Sequence, residues 1–214
     1  MQASKWVVAA AAAALLLGGA PAARALPLVS ELFYDAIGSD DGNAFVELYG
    51  APGASVAGLR LQIVNGDNGA ITGTLILAGA FGADGLFVVA DRTSAGTTAI
   101  SGADQLLDFD LQNGPDSLVL RDANGVLDAV GYGVFGAGLA FLGEGSPAVD
   151  VPAGSSLARR FANVDTDDNA LDFAALAVPT PGSAPIANVP EPGTATLAAC
   201  GLAGLARRAR PPRG

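Results

Sequence analysis

Histidine is absent from the chain, and cysteine, methionine and tryptophan each occur once in 214 residues. Without an imidazole there can be no Ser-His-Asp triad, no Cys-His nucleophile pair and no His-ligated zinc centre. The single cysteine, Cys200, lies near the C-terminus, so no internal disulfide can staple the body of the chain. Basic residues are scarce in the middle of the sequence. All 21 acidic residues lie between Glu31 and Glu191, with only Arg60, Arg92, Arg121, Arg159 and Arg160 among them, a balance of −16. Such a surface repels phosphate backbones, which argues against nucleic acid as a partner. It suits an extracellular surface, or one that gathers cations. Carboxylate-only chemistry, such as glycoside hydrolysis, stays open. Long helical periods are missing as well. The Ala-rich stretch Asp172–Val178 is the best helical candidate, and it is very short.

What the chain has instead is 29 glycines, 13 prolines and short apolar runs between turn residues. The run Ala44–Tyr49 is entered from Asp40-Asp41-Gly42-Asn43 and left through Gly50-Ala51-Pro52-Gly53, the pattern of an abruptly bounded strand. At period two, Ala44, Val46 and Leu48 share one face, and Phe45, Glu47 and Tyr49 the other. Glu47, between two aromatics, needs a donor if that face is covered; an arginine or a backbone amide is the expected partner. Seven further runs read the same way: Leu28–Tyr34, Leu59–Val64, Gly73–Leu77, Leu86–Ala90, Gln105–Phe109, Ser117–Arg121 and Val126–Val130. The last two form the clearest hairpin, with Asn124-Gly125 expected to supply positive φ at its turn. About eight short strands argue an all-β sandwich. Val46, Leu48, Leu61, Val88, Leu118 and Leu120 are the predicted shared core.

Several of these segments together resemble a lamin-tail domain. They are Val29-Ser30-Glu31-Leu32, Phe45-Val46-Glu47-Leu48-Tyr49, Val56-Ala57-Gly58-Leu59-Arg60-Leu61 and Gly85-Leu86-Phe87-Val88-Val89-Ala90-Asp91. Asp116-Ser117-Leu118-Val119-Leu120-Arg121-Asp122, Asp165-Thr166-Asp167-Asp168-Asn169 and Thr180-Pro181-Gly182 complete the set. The resemblance spans residues 26–182 and rests on order and spacing, since each motif alone is only a strand and a turn. It implies an immunoglobulin-like β-sandwich more firmly than any activity, because such domains occur with many partners. The basic surface of lamin tails that touch chromatin is missing here.

Residues 1–25 read as a secretory signal peptide. Lys5 precedes an apolar run from Trp6 to Leu17, and Ala23-Arg24-Ala25 fits signal peptidase cleavage after Ala25. At the other end, a linker over 183–188 leads into residues 189–214. There Pro190-Glu191-Pro192 precedes an apolar run, Ala195–Ala206, and then Arg207, Arg208 and Arg210. This order closely resembles the PEP-CTERM sorting signal of Gram-negative bacteria. The resemblance implies recognition of Pro190, Glu191 and Pro192 by an exosortase, which cleaves nearby. The arginines act as a cytoplasmic stop-transfer cluster. Twelve apolar residues in a transmembrane helix span only about 18 Å of a roughly 30 Å hydrocarbon core, so the hold on the inner membrane is expected to be transient.

Asp165, Asp167, Asp168 and Asn169 are the candidate ligands of a calcium ion, because closely spaced carboxylate and amide oxygens suit that hard cation. Asp35, Asp40, Asp41 and Asn43 form a second such group. Turn chemistry favours the competing reading, in which these side chains cap their own backbone. Glu144 and Asp150 read as ordinary solvated charges. The expectation is therefore a secreted, exosortase-sorted, non-catalytic protein of the cell surface or extracellular matrix, with exopolysaccharide or another surface protein as partner. The rival is a glycan-acting enzyme using two carboxylates such as Glu31 and Glu47.

Overall fold

The computed structural model describes residues 26–188. The signal peptide expected at 1–25, the Pro190–Pro192 motif and the arginine cluster at 207–210 lie outside the described residues. Within them the chain forms ten strands and one helical turn. The strands are β1 Leu28–Phe33, β2 Phe45–Tyr49, β3 Arg60–Asn65, β4 Ile71–Ile76, β5 Leu86–Asp91, β6 Gln105–Leu107, β7 Asp116–Arg121, β8 Val126–Tyr132, β9 Ser156–Arg159 and β10 Phe173–Leu176. The helical turn, α1, is Asn169–Asp172. No helix among the described residues is long and apolar enough to cross a membrane.

Two sheets enclose one core. The first runs β10-β9-β1-β2-β5-β6 and the second β4-β3-β7-β8. Every pairing is antiparallel except β5 with β6. Val29, Val46, Leu48, Phe87, Val89 and Leu157 from the first sheet meet Leu61, Ile63, Leu118 and Leu120 from the second. The architecture is thus an all-β sandwich, as the strand pattern predicts.

Five of the six predicted core residues lie in this layer; Val88 does not. It packs with Phe45 and Ala90 on the outer face of the first sheet, beneath Ile100 and Ala103. The cause is register: Val88 stands opposite Glu47, so it shares that residue's face. All six residues of β5 are buried, so alternation along the strand cannot show which side faces inward. Asp172–Val178, too short in the sequence to count as a helix, holds the end of α1 and then strand β10. A second correction concerns the β7–β8 turn. Neither Asn124 nor Gly125 has a left-handed φ. The Asp122 carboxylate instead accepts from both of their backbone amides, at 2.7 and 3.0 Å.

The outer face of the first sheet is covered twice. Ile100 and Ala103 cover one part, over β2 and β5. Residues after β10 cross the other part as a strap, which begins at Ala177 and includes the stretch 183–188 expected as a linker. Thr180 and Gly182 bond to side chains of β1 and β2, and Pro185 and Ala187 to the loop after β9.

Candidate functional site

Glu31 and Glu47 are direct partners across the β1–β2 ladder, so their side chains emerge side by side on the covered face. Both are buried. Glu47 accepts from the Ser30 hydroxyl at 2.9 Å and from the Gly182 amide at 2.7 Å. Glu31 accepts from the Ser156 hydroxyl and the Thr180 amide on one oxygen, and from the Thr180 hydroxyl at 2.8 Å on the other. Glu47 therefore finds the backbone amide its setting demands, and that amide belongs to the strap. Burial pushes the Glu47 carboxyl up to about 7, against the pull of the Gly182 amide and the Ser30 hydroxyl; the nearby charges of Glu31 and Asp84 push the same way. Neither carboxylate meets a cation among the described residues; the chain's own donors hold both.

A second acidic centre joins the two sheets. Leu157 and Arg159 share the inward face of β9, and the Arg159 guanidinium reaches across to Asp128 on β8 at 2.9 Å. It also contacts Asp172 at 2.9 Å and Asp165 at 3.2 Å, and its plane lies over the Phe173 ring. Its Nε donates to the Val29 carbonyl, while Asp128 accepts the Val29 amide. Both backbone groups of Val29 are thereby engaged where the β1–β2 register shifts. In a domain with no disulfide, this buried ion group ties β1 and β9 to β8.

Glu144 belongs to the same centre and is not an ordinary solvated charge. One of its oxygens is buried without a donor among the described residues. Burial pushes its carboxyl up to about 8, aided by the charges of Asp128 and Asp165. Asp128 is raised as well, by burial, although Arg159 opposes the shift. Oxygens of Asp128, Glu144 and Asp165 lie within 4.8 Å of one another, the geometry among the described residues that could chelate a cation. Four carboxyls against one guanidinium leave a charge deficit, and a proton on Glu144 reduces it. Asp150, the other residue read as solvated, accepts from the Tyr34 hydroxyl at 3.3 Å.

The candidate calcium loop is divided by these contacts. Asp165 turns inward to Arg159. Asp167 is exposed, with its φ at 55°. Asp168 caps α1 by accepting the Ala170 amide, and it also accepts from Ser146. Asn169 is buried, bonding to Ala129, Gly131 and Glu144 backbone groups. The four side chains do not converge on one point. In the other acidic loop, Asp40 accepts the Ala36 amide and Asn43 donates to the Ser39 and Asp41 carbonyls. Asp91 orders the same loop by accepting the Gly42 and Phe109 amides.

Composition conceals the Arg159 centre, because its members come from β8, β9, α1 and two loops. One signal was readable: Arg159 follows Leu157 at strand spacing, which places a cation on an apolar face. No family model, curated protein or solved structure matches the chain.

Proposed function

We propose that the protein is a secreted, non-catalytic β-sandwich of lamin-tail, immunoglobulin-like type, sorted through its Pro190-Glu191-Pro192 signal by an exosortase. In this reading it serves the surface or extracellular matrix of a Gram-negative bacterium as a structural or binding component. One observation supports this over the glycan-acting rival. Glu31 and Glu47, the pair that carboxylate catalysis would need, bind the backbone and hydroxyl of the chain's own strap. Glu31 borders a cleft of about 450 Å³, but Glu47 does not line it. A sugar held between the two would have to displace the strap. Exopolysaccharide or a neighbouring surface protein is the partner class that this location and acidity suit.

Deleting the exosortase gene tests the sorting. The expected result is a larger, membrane-retained form, reproduced in the wild-type strain by Pro190→Ala combined with Pro192→Ala. A surface yield and mass unchanged by both would defeat the assignment. Incubating the purified protein with the producer's exopolysaccharide tests the rival: new reducing ends that vanish in Glu47→Gln would establish an enzyme.

A further inference from the structure

Residues 177–188 cross the sheet with no side chain fully buried, although Pro179, Thr180, Pro181, Ala184 and Ala187 are half-buried. The strap is held mainly by hydrogen bonds to three side chains, Glu31, Glu47 and Asn163. The Asn163 amide pairs with both backbone groups of Ala187, at 2.9 and 2.8 Å. The Pro185 carbonyl adds one backbone bond, from Ala162. Behind the strap, the cleft bordered by Glu31 runs between Ala158, Ala174 and Ala175 on the sheet side and Ser183, Ala184 and Pro185 on the strap side.

These facts set an unusual balance for opening. Lifting the strap exposes little apolar surface, so it loses little hydrophobic stabilisation. It also returns two buried carboxylates to water, which recovers their desolvation. Hydrogen bonds are the main force opposing release, and each is worth only a modest net amount. The strands beneath keep their ladder and their core throughout.

We infer that the strap is a releasable latch, and that its release governs access to the sorting motif; the second part rests on the exosortase reading above. Chain length supplies the reason. With Ala187 docked, Pro190 lies three residues beyond the last anchor among the described residues, a reach of at most about 10 Å. Once the strap lifts, the tether starts at Leu176 and the reach grows to about 48 Å. The first tether leaves a processing enzyme little clearance from the folded domain, and the second leaves several times more.

The test uses the full chain, purified in detergent from a strain lacking exosortase, and follows amide hydrogen exchange. Thr180 and Gly182 should exchange about a hundredfold faster than Val46 and Leu118, through local opening. Thr180→Val removes the hydroxyl donor and keeps the amide, so exchange at Gly182 should rise up to about tenfold with Val46 and Leu118 unchanged. In cells, pulse-chase should show faster processing of Thr180→Val. A ten-residue Gly-Ser insert after Asn188 should bring the wild type to the same rate. Strap amides that exchange together with Val46 and Leu118 would overturn the latch. A processing rate unmoved by both changes would overturn its governing role. If no variant is processed, the sorting assignment falls, and hydrogen exchange still decides the latch.

Discussion

Glu47 carries the clearest pH signature at the level of single residues. Its carboxyl titrates near 7 in the folded protein, against 4.5 in its ordinary state. Between those values the folded chain holds a proton that the unfolded chain has lost. Stability from this group is therefore fully present below about 4.5, falls as pH rises to about 7, and is flat above. The drop should be about 3–4 kcal/mol in urea titrations, and Glu47→Gln should largely remove it. Glu144 has the same sign and extends the decline toward 8. A protein whose stability rises between pH 5 and 7 would contradict both assignments. Arg159 gives the complementary prediction. Arg159→Leu leaves Asp128 and Asp172 buried without their cation, which should cost about 3–5 kcal/mol. Replacing Asp128 by Leu in the same chain should cost less than the sum of the two single changes, because the two charges are coupled. Calcium is predicted to leave the melting curve unmoved at neutral pH. Asp167 is exposed, Asp168 and Asn169 bond to backbone groups, and Arg159 already faces Asp165.

Among the elements, β2 and β7 carry the shared core. Leu48→Ala and Leu118→Ala should each cost about 2–5 kcal/mol, read from urea unfolding, since both side chains are fully enclosed between the sheets. An unmoved midpoint for either would refute the face assignment. The loop between β8 and β9 offers a sharper test, because a Cβ at Gly143 would lie 2.3 Å from the Gly131 amide nitrogen and 2.4 Å from Asn169 Oδ1. Gly143→Ala should therefore destabilise the junction of β8 and α1 and loosen Glu144. These elements differ in how openly the sequence declares them. Eight strands were legible because branched and aromatic runs stand between Gly, Asp and Asn turns. β9 and β10 were not. Ser156–Arg159 is four residues long with a charge at its end, and Phe173–Leu176 sits in an Ala-rich stretch whose intrinsic preference is helical. Pairing with β1 and with each other overrides that preference. The strap was hidden for a different reason. Pro, Gly and Ser compositions read as linkers, and only Glu47, an acid on an otherwise aromatic face, hinted that something must cover it.

For the whole molecule, the charge distribution and the two proposed terminal signals make one joint prediction. Six of the eleven basic residues lie at the ends: Lys5, Arg24, Arg207, Arg208, Arg210 and Arg213. Removing residues 1–25 and cutting near Glu191 would strip them all. The product retains five arginines against 21 acidic residues if cleavage follows Glu191, so processing would deepen the net charge from −10 to −16. Self-repulsion of that size should make the mature domain more stable in salt, with the melting temperature rising between about 10 and 150 mM as the screening length falls from about 30 to 8 Å. Arg159 and its partners are buried and respond little, so the rise reports the surface acids. The same cuts remove Met1, Trp6 and Cys200, leaving Tyr34, Tyr49 and Tyr132 as the main near-ultraviolet chromophores. Intact mass of the surface-released protein should thus begin at Leu26 and end near Glu191, with a tyrosine-only absorption band. Recovering Trp6 or Cys200 in the released form would break the link between the terminal signals and the acidic surface.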